Sequence, residues 1–291
     1  MGLLLITRFT FQEAIRRKIF LAAVILSAVM AGVFAILLNI AVNAQLSSGG
    51  GNLDPQLELL AVGIVISILV TWLVYLLSSL LTILMTTGMI SSEVEAGTFS
   101  VIVPKPLARA EIVFGKWLGY ALILSVYIAL MFFTFLGIIY WQTGYWPDQP
   151  FAAFTMLELI SLSLLALTTL GSSLVPTIVN GAIVLILFIG APIASLVQFI
   201  VQTINPTNSQ ALQNVTTIVN LVIPTDALWH GVSYYLLPNA IGLATLNMST
   251  NSFNTPFTSA APIAGALLIW VILYCLTLPT LAAWRFQHRD L

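Results

Sequence analysis

The chain has 291 residues, 59% of them hydrophobic and 7% charged, with a mean hydropathy of +1.05. That composition excludes a soluble globular domain and reads as an all-α integral membrane protein. The net charge of −1 excludes a nucleic-acid partner.

The first predicted element, at about 3–17, is amphipathic. On a helical wheel Leu4, Thr7, Phe11, Ala14 and Ile15 share one side, and Arg8, Gln12, Glu13, Arg16 and Arg17 the other. A helix of this kind lies in the headgroup plane. A signal peptide is the rival reading, because basic residues precede an apolar run ending Val42-Asn43-Ala44. The run at 19–42 is too long for a signal core, so it is read as a retained first span. A Ser/Gly/Asn loop follows to Pro55. The second span, 59–90, is roughly 48 Å long, more than a bilayer core of about 30 Å, and should tilt or protrude.

Between Ser91 and Lys116 the apolar chain becomes charged, with Glu93, Glu95, Lys105, Arg109, Glu111 and Lys116 inside one island. An island between two bilayer-length apolar runs is an aqueous loop, and its cations place it on the cytoplasmic side. Ser92 and Glu95 fit a capping box, which predicts a short helix at about 92–100 lying off the membrane helices. Gly97 limits that helix. Pro104 and Pro106 then force extended backbone, and the next helix starts near Ala108–Ala110.

The third span is expected at 117–140, closed by Trp141, Tyr145 and Trp146 at the outer interface. The run 155–201 is too long for one span and is broken at Pro176–Gly181, which gives a hairpin of spans four (155–175) and five (180–201). Gly190 and Pro192 should kink span five. The stretch 203–261 is rich in Asn and Thr with a single charge, Asp226, and reads as short helices resting on the outer interface. The sixth span is 262–284. All nine Lys and Arg fall at Arg8–Lys18, Lys105–Lys116 and Arg285–Arg289, so both termini and the island are placed inside. Cys275 is the only cysteine, which leaves no intramolecular disulfide.

The island carries a resemblance. Glu93-x-Glu95-x-Gly97-Thr98, with Pro106, Arg109, Glu111-Ile112-Val113 and Gly115-Lys116, resembles the cytoplasmic segment of ABC-2 type transporter permeases, and the span count extends the likeness over the whole chain. The resemblance implies one ABC-2 type transmembrane domain over 1–291. It further implies a coupling helix within 91–116 that docks on separate cytoplasmic ATP-binding cassette ATPase subunits. A second permease copy or paralogue completes the pathway, and an export role in the cell (plasma) membrane is expected. It assigns the coupling to Glu93, Glu95, Gly97, Thr98, Pro106, Arg109, Glu111 and Lys116. The strings Pro224-Thr-Asp-Ala-Leu-Trp229 and Tyr235-Leu-Leu-Pro-Asn239 are also similar to the subgroup linked to copper-enzyme maturation.

The chain itself offers no chemistry. Gly115-Lys116 is followed by Trp117 and lacks the upstream glycine of a P-loop. No catalytic residue, metal site or cofactor is therefore expected here, and ATP and Mg belong to the partner subunits. His230 and His288 read as isolated. Glu58 and Glu158 are placed near the outer ends of spans two and four, which disfavours an ion-coupled secondary transporter. A membrane assembly or scaffold protein without transport is the reading from a different class. Finally, Ser67, Thr71, Tyr75, Ser78, Thr82 and Thr86 recur at spacings of three and four and form one polar stripe on the second span. Two readings stand: helix packing, or lining of an export route across a permease dimer.

Overall fold

The computed structural model describes residues 2–48, 54–92, 109–204, 210–239, 255–259 and 261–288. These residues form helices and no strand, apart from an isolated bridge between Thr255 and Thr258. In chain order they are α1 (Gly2–Arg16), α2 (Lys18–Ser48), α3 (Pro55–Thr86), α4 (Arg109–Thr143), α5 (Pro150–Leu174), α6 (Thr177–Ile204), α7 (Gln210–Val222), α8 (Thr225–Leu236) and α9 (Gly265–Gln287). Six of them, α2 to α6 and α9, are long and apolar enough to cross a membrane. The chain is an all-α, multi-pass membrane protein.

Helix ends follow local start and stop chemistry more than hydropathy. Asp54 caps α3, accepting from the Gln56 amide at 3.3 Å, and Pro55 occupies the first turn. Pro150 opens α5 in the same way, five residues before the expected start of span four. Helix α4 runs eight residues upstream of the expected third span, because Arg109, Glu111 and Lys116 are good helix formers although they are not apolar. Hydropathy marks the part of a helix in lipid. It does not mark the helix.

The interior is built by α3, α4 and α5, closed by α8 and α9. Helices α2 and α6 are peripheral and leave most of their apolar surface exposed. A buried hydrogen bond of 2.7 Å between Ser27 and Tyr127 pins α2 to α4. Helix α6 is continuous through Pro192.

Two expectations change. Helix α8 is packed into the bundle and not only laid on its surface: Leu228, Trp229, Val232 and Leu236 are buried in the bundle end against α5 and α3, because its apolar face meets theirs. Ser92 is not an N-cap. Its amide donates to the Gly88 carbonyl at 3.2 Å and its hydroxyl to the same oxygen, so it still belongs to the turns that follow α3. The expected helix at 92–100 otherwise lies outside the described residues.

Candidate functional site

The last carbonyls of a helix have no amide partners along the chain and must find them elsewhere. At the end of α3 nearest the termini, three carbonyls are met by side chains from three other places. Arg17, at the break between α1 and α2, donates from Nη1 to the Met85 carbonyl at 3.3 Å. Asn180, in the first turn of α6, donates from Nδ2 to the Thr87 carbonyl at 2.8 Å. Lys116, on α4, donates from Nζ to the Met89 carbonyl at 2.9 Å. Met85, Met89, Ile90 and Asn180 are all buried. Two of the donors are cations at the negative end of a helix dipole, which adds about 0.3–1 kcal/mol each.

The donors are themselves held. Arg17 pairs with Glu13 at 2.9 Å and stands over the Tyr120 ring, 5.8 Å from its centroid. Asn180 also donates to the Thr168 carbonyl at 3.0 Å, joining α5 to the group. Ser91 and Thr177 share a hydroxyl bond of 2.8 Å. Helix α1 reaches this junction because α4 presents Gly115 and Gly119 to it, four residues apart. A Cβ on Gly115 would lie 2.7 Å from Ile6 Cγ2, and one on Gly119 would lie 2.8 Å from Thr10 Cβ. Five helices and the α1–α2 break therefore meet just before the charged island begins.

Glu93, Glu95, Gly97, Thr98 and Pro106 lie outside the described residues. Arg109 opens α4, and Glu111 is half-buried in its first turn. Lys116 is turned inward and buried. The six stripe residues, Ser67, Thr71, Tyr75, Ser78, Thr82 and Thr86, are buried inside their own chain. Their hydroxyls mostly serve their own helix: Ser67 donates to the Ile64 carbonyl, Ser78 to Tyr75, Thr82 to Ser78 and Thr86 to Thr82. Thr86 also meets Thr168 of α5 at 2.7 Å, and the Tyr75 ring stacks on Trp229 with centroids 5.3 Å apart.

A protein-family model, the ABC-2 family transporter protein, matches residues 4–291. The chain belongs to that family. A comparison with curated proteins returned no match. The match names the family and no subgroup within it, and it identifies the chain as a permease of an ABC transporter. In this permease the group at the end of α3 directly precedes the segment 91–116 in the chain.

Sequence reading missed Arg17 and Asn180, since nothing local announces a donor to a distant carbonyl. It also read Asp226 and His230 separately, although their spacing of four puts them on one helix face. His230 Nε2 lies 3.7 Å from Asp226 Oδ2, and Ser195 of α6 donates to the same oxygen. Glu158 is corrected. With α5 starting at Pro150, it lies about 12 Å along the helix. Its carboxylate accepts from Ser125 of α4. Sequence hydropathy alone put it at the membrane edge.

Proposed function

We propose that this permease is the membrane subunit of an ABC exporter in the cell membrane, with both termini and the 91–116 segment cytoplasmic. It works as a dimer with a second copy or a paralogue, and ATP and Mg are handled by separate ATPase subunits. Glu93, Glu95, Gly97, Thr98, Pro106, Arg109 and Glu111 form the docking side of that segment. Lys116, with Arg17 and Asn180, passes its motion inward.

The observation that supports this reading is the junction itself. The C-terminal carbonyls of α3 are tied to α2, α4 and α6 directly before the docking segment. A push on that segment is then carried to four membrane helices together. Family membership, rather than a lack of intramembrane charge, favours ATP as the energy source, since Glu158 lies inside α5.

The polar stripe of α3 is read as packing. Each of its residues is buried within one chain, and most of its hydroxyls are already hydrogen-bonded. Such a face is not presented to a second copy.

Co-purification tests the proposal. The permease, expressed with a candidate ATP-binding cassette ATPase subunit from the same genome, is expected to form a complex that hydrolyses ATP. Glu93→Lys with Glu95→Lys reverses the charge of the docking face and should lower complex yield without changing permease thermal stability. Wild-type yield and stimulation in that double variant would leave the segment an ordinary solvated loop. A permease that never captures an ATPase would favour the assembly or scaffold role.

A further inference from the structure

At the end of the bundle away from the termini, α6, α7, α8, residues 255–259 and 261–264 and the start of α9 line an open chamber of about 530 Å³ with a mixed polar and apolar wall. Ser195, Gln198 and Gln202 line it from α6, Asn220 from α7, and Asp226 and His230 from α8. Asp226 is only 2% exposed. Ser195 donates to it, His230 Nε2 stands 3.7 Å from it, and its place in the first turn of α8 favours a negative charge. Burial works the other way and raises its pKa, while His230 and the Ser195 hydroxyl pull it back.

The balance of charge and of donors is uneven. No Lys or Arg occurs anywhere between Lys116 and Arg285, so no segment that builds the chamber carries a permanent cation. Among the described residues the buried atoms Asn220 Oδ1 and His230 Nδ1 have no hydrogen-bond partner. The amide oxygen is an acceptor, and Nδ1 is also one when the Nε2 proton faces Asp226. A buried carboxylate and two unpartnered acceptor atoms thus share a chamber whose donors are all neutral amides and hydroxyls apart from His230. Buried charges are normally paired, and a buried acceptor without a donor is costly. A group bearing several N–H donors and a positive charge is what the chamber lacks.

We propose that this chamber binds a small organic cation, a protonated primary amine, with its ammonium against Asp226 and its remaining N–H donors shared among the amide oxygens of Gln198, Gln202 and Asn220. An ammonium supplies three donors and the positive charge that no Lys or Arg of these segments provides beside Asp226. The site is separate from the coupling junction at the other end of the bundle and does not depend on the direction of transport.

The test is calorimetric titration of the full chain in lipid nanodiscs, with empty nanodiscs as blank. The probes are n-butylammonium chloride, its neutral counterpart n-butanol, and zinc chloride. Saturable binding of butylammonium is expected, with n-butanol at least about tenfold weaker. Asp226→Asn keeps the shape and an acceptor for Ser195 while removing the charge, and should weaken butylammonium by about tenfold or more. His230→Lys leaves Asp226 intact but supplies a tethered ammonium beside it, and should weaken butylammonium equally. Ser195→Ala should change affinity by no more than about threefold. Thermal unfolding confirms that each variant is folded. Should Asp226→Asn fail that control, His230→Lys and the amine–alcohol pair still decide. Equal binding of amine and alcohol, or unchanged binding in the folded Asp226 and His230 variants, overturns the proposal. Saturable zinc binding without amine binding overturns it too, in favour of a divalent metal site.

Discussion

The two ends of the bundle solve opposite problems in burying polar groups. At the end near the termini, unpaired carbonyls are met by side-chain donors, two of them permanently charged: Arg17 to Met85, Asn180 to Thr87 and Lys116 to Met89. At the far end, the buried Asp226 carboxylate has one imidazole and one hydroxyl beside it, and two nearby acceptor atoms, Asn220 Oδ1 and His230 Nδ1, have no partner among the described residues. Satisfied polar networks rigidify, whereas unsatisfied ones are costly and so mark places where something else binds or changes. The first end ties helices together, and the second is the one for which we propose a ligand. Helix α3 runs between them, with Tyr75 against Trp229 of α8 and Thr86 against Thr168 of α5.

Asn180→Leu should show the largest effect, because Asn180 serves two carbonyls on two helices. Each lost bond costs about 0.5–1.5 kcal/mol, and leucine can replace neither in the buried junction. Both a large drop in thermal midpoint and loss of ATPase coupling are expected, measured in nanodiscs and in the assembled complex. Near-wild-type stability would mean that water replaces the amide, and the contrast between the ends would lose its basis.

The stripe comes next. Ser78 is fully buried, and leucine there adds volume to a close-packed interface at about 1–3 kcal/mol. Ser78→Leu and Thr71→Leu should therefore lower folded yield and thermal stability together with transport. If assembly and basal ATP hydrolysis persist while transport alone falls, the stripe is the export route and the packing reading is lost.

Much of this was legible in the sequence. Six apolar runs, the broken pair at Pro176 and the family likeness are local signals, and local signals survive in one dimension. The junction was not legible, because Asn180 and Thr87 are 93 residues apart and nothing in either neighbourhood points to the other. Glu158 sits further along its helix than expected for a different reason: α5 begins at Pro150, five residues before the expected start of span four, and a proline start signal is something hydropathy does not see. The site at Asp226 was half visible. The spacing to His230 was available, but Ser195 and the chamber wall come from another helix.

The far end should respond to pH in a defined sense. Burial holds the Asp226 pKa above its ordinary 3.8, so the folded chain binds this proton more tightly than the unfolded chain does. Its contribution is therefore most favourable below about the ordinary value and is lost as pH rises through the raised one. Asp226→Asn should flatten stability over that interval, measured as thermal midpoint against pH without added amine, and at neutral pH should be neutral or stabilising. A variant that melts lower than wild type at neutral pH would show that the carboxylate is a structural partner and not an unmet charge.

The smallest effect is expected at Glu13, and it separates contact from consequence at the junction. Glu13 forms the clearest ion pair there, 2.9 Å from Arg17, yet its side chain is 54% exposed and that of Arg17 32%. Exposed pairs four residues apart on helical backbone contribute about 0.3–0.5 kcal/mol, and salt screens them. Glu13→Gln should therefore shift the thermal midpoint barely above error. Arg17→Gln should shift it more, because it loses the bond to the Met85 carbonyl and the contact with Tyr120 as well. If the two variants fall equally, the ion pair orients Arg17, and the junction depends on charge pairing at its rim rather than on donors delivered to the carbonyls of α3.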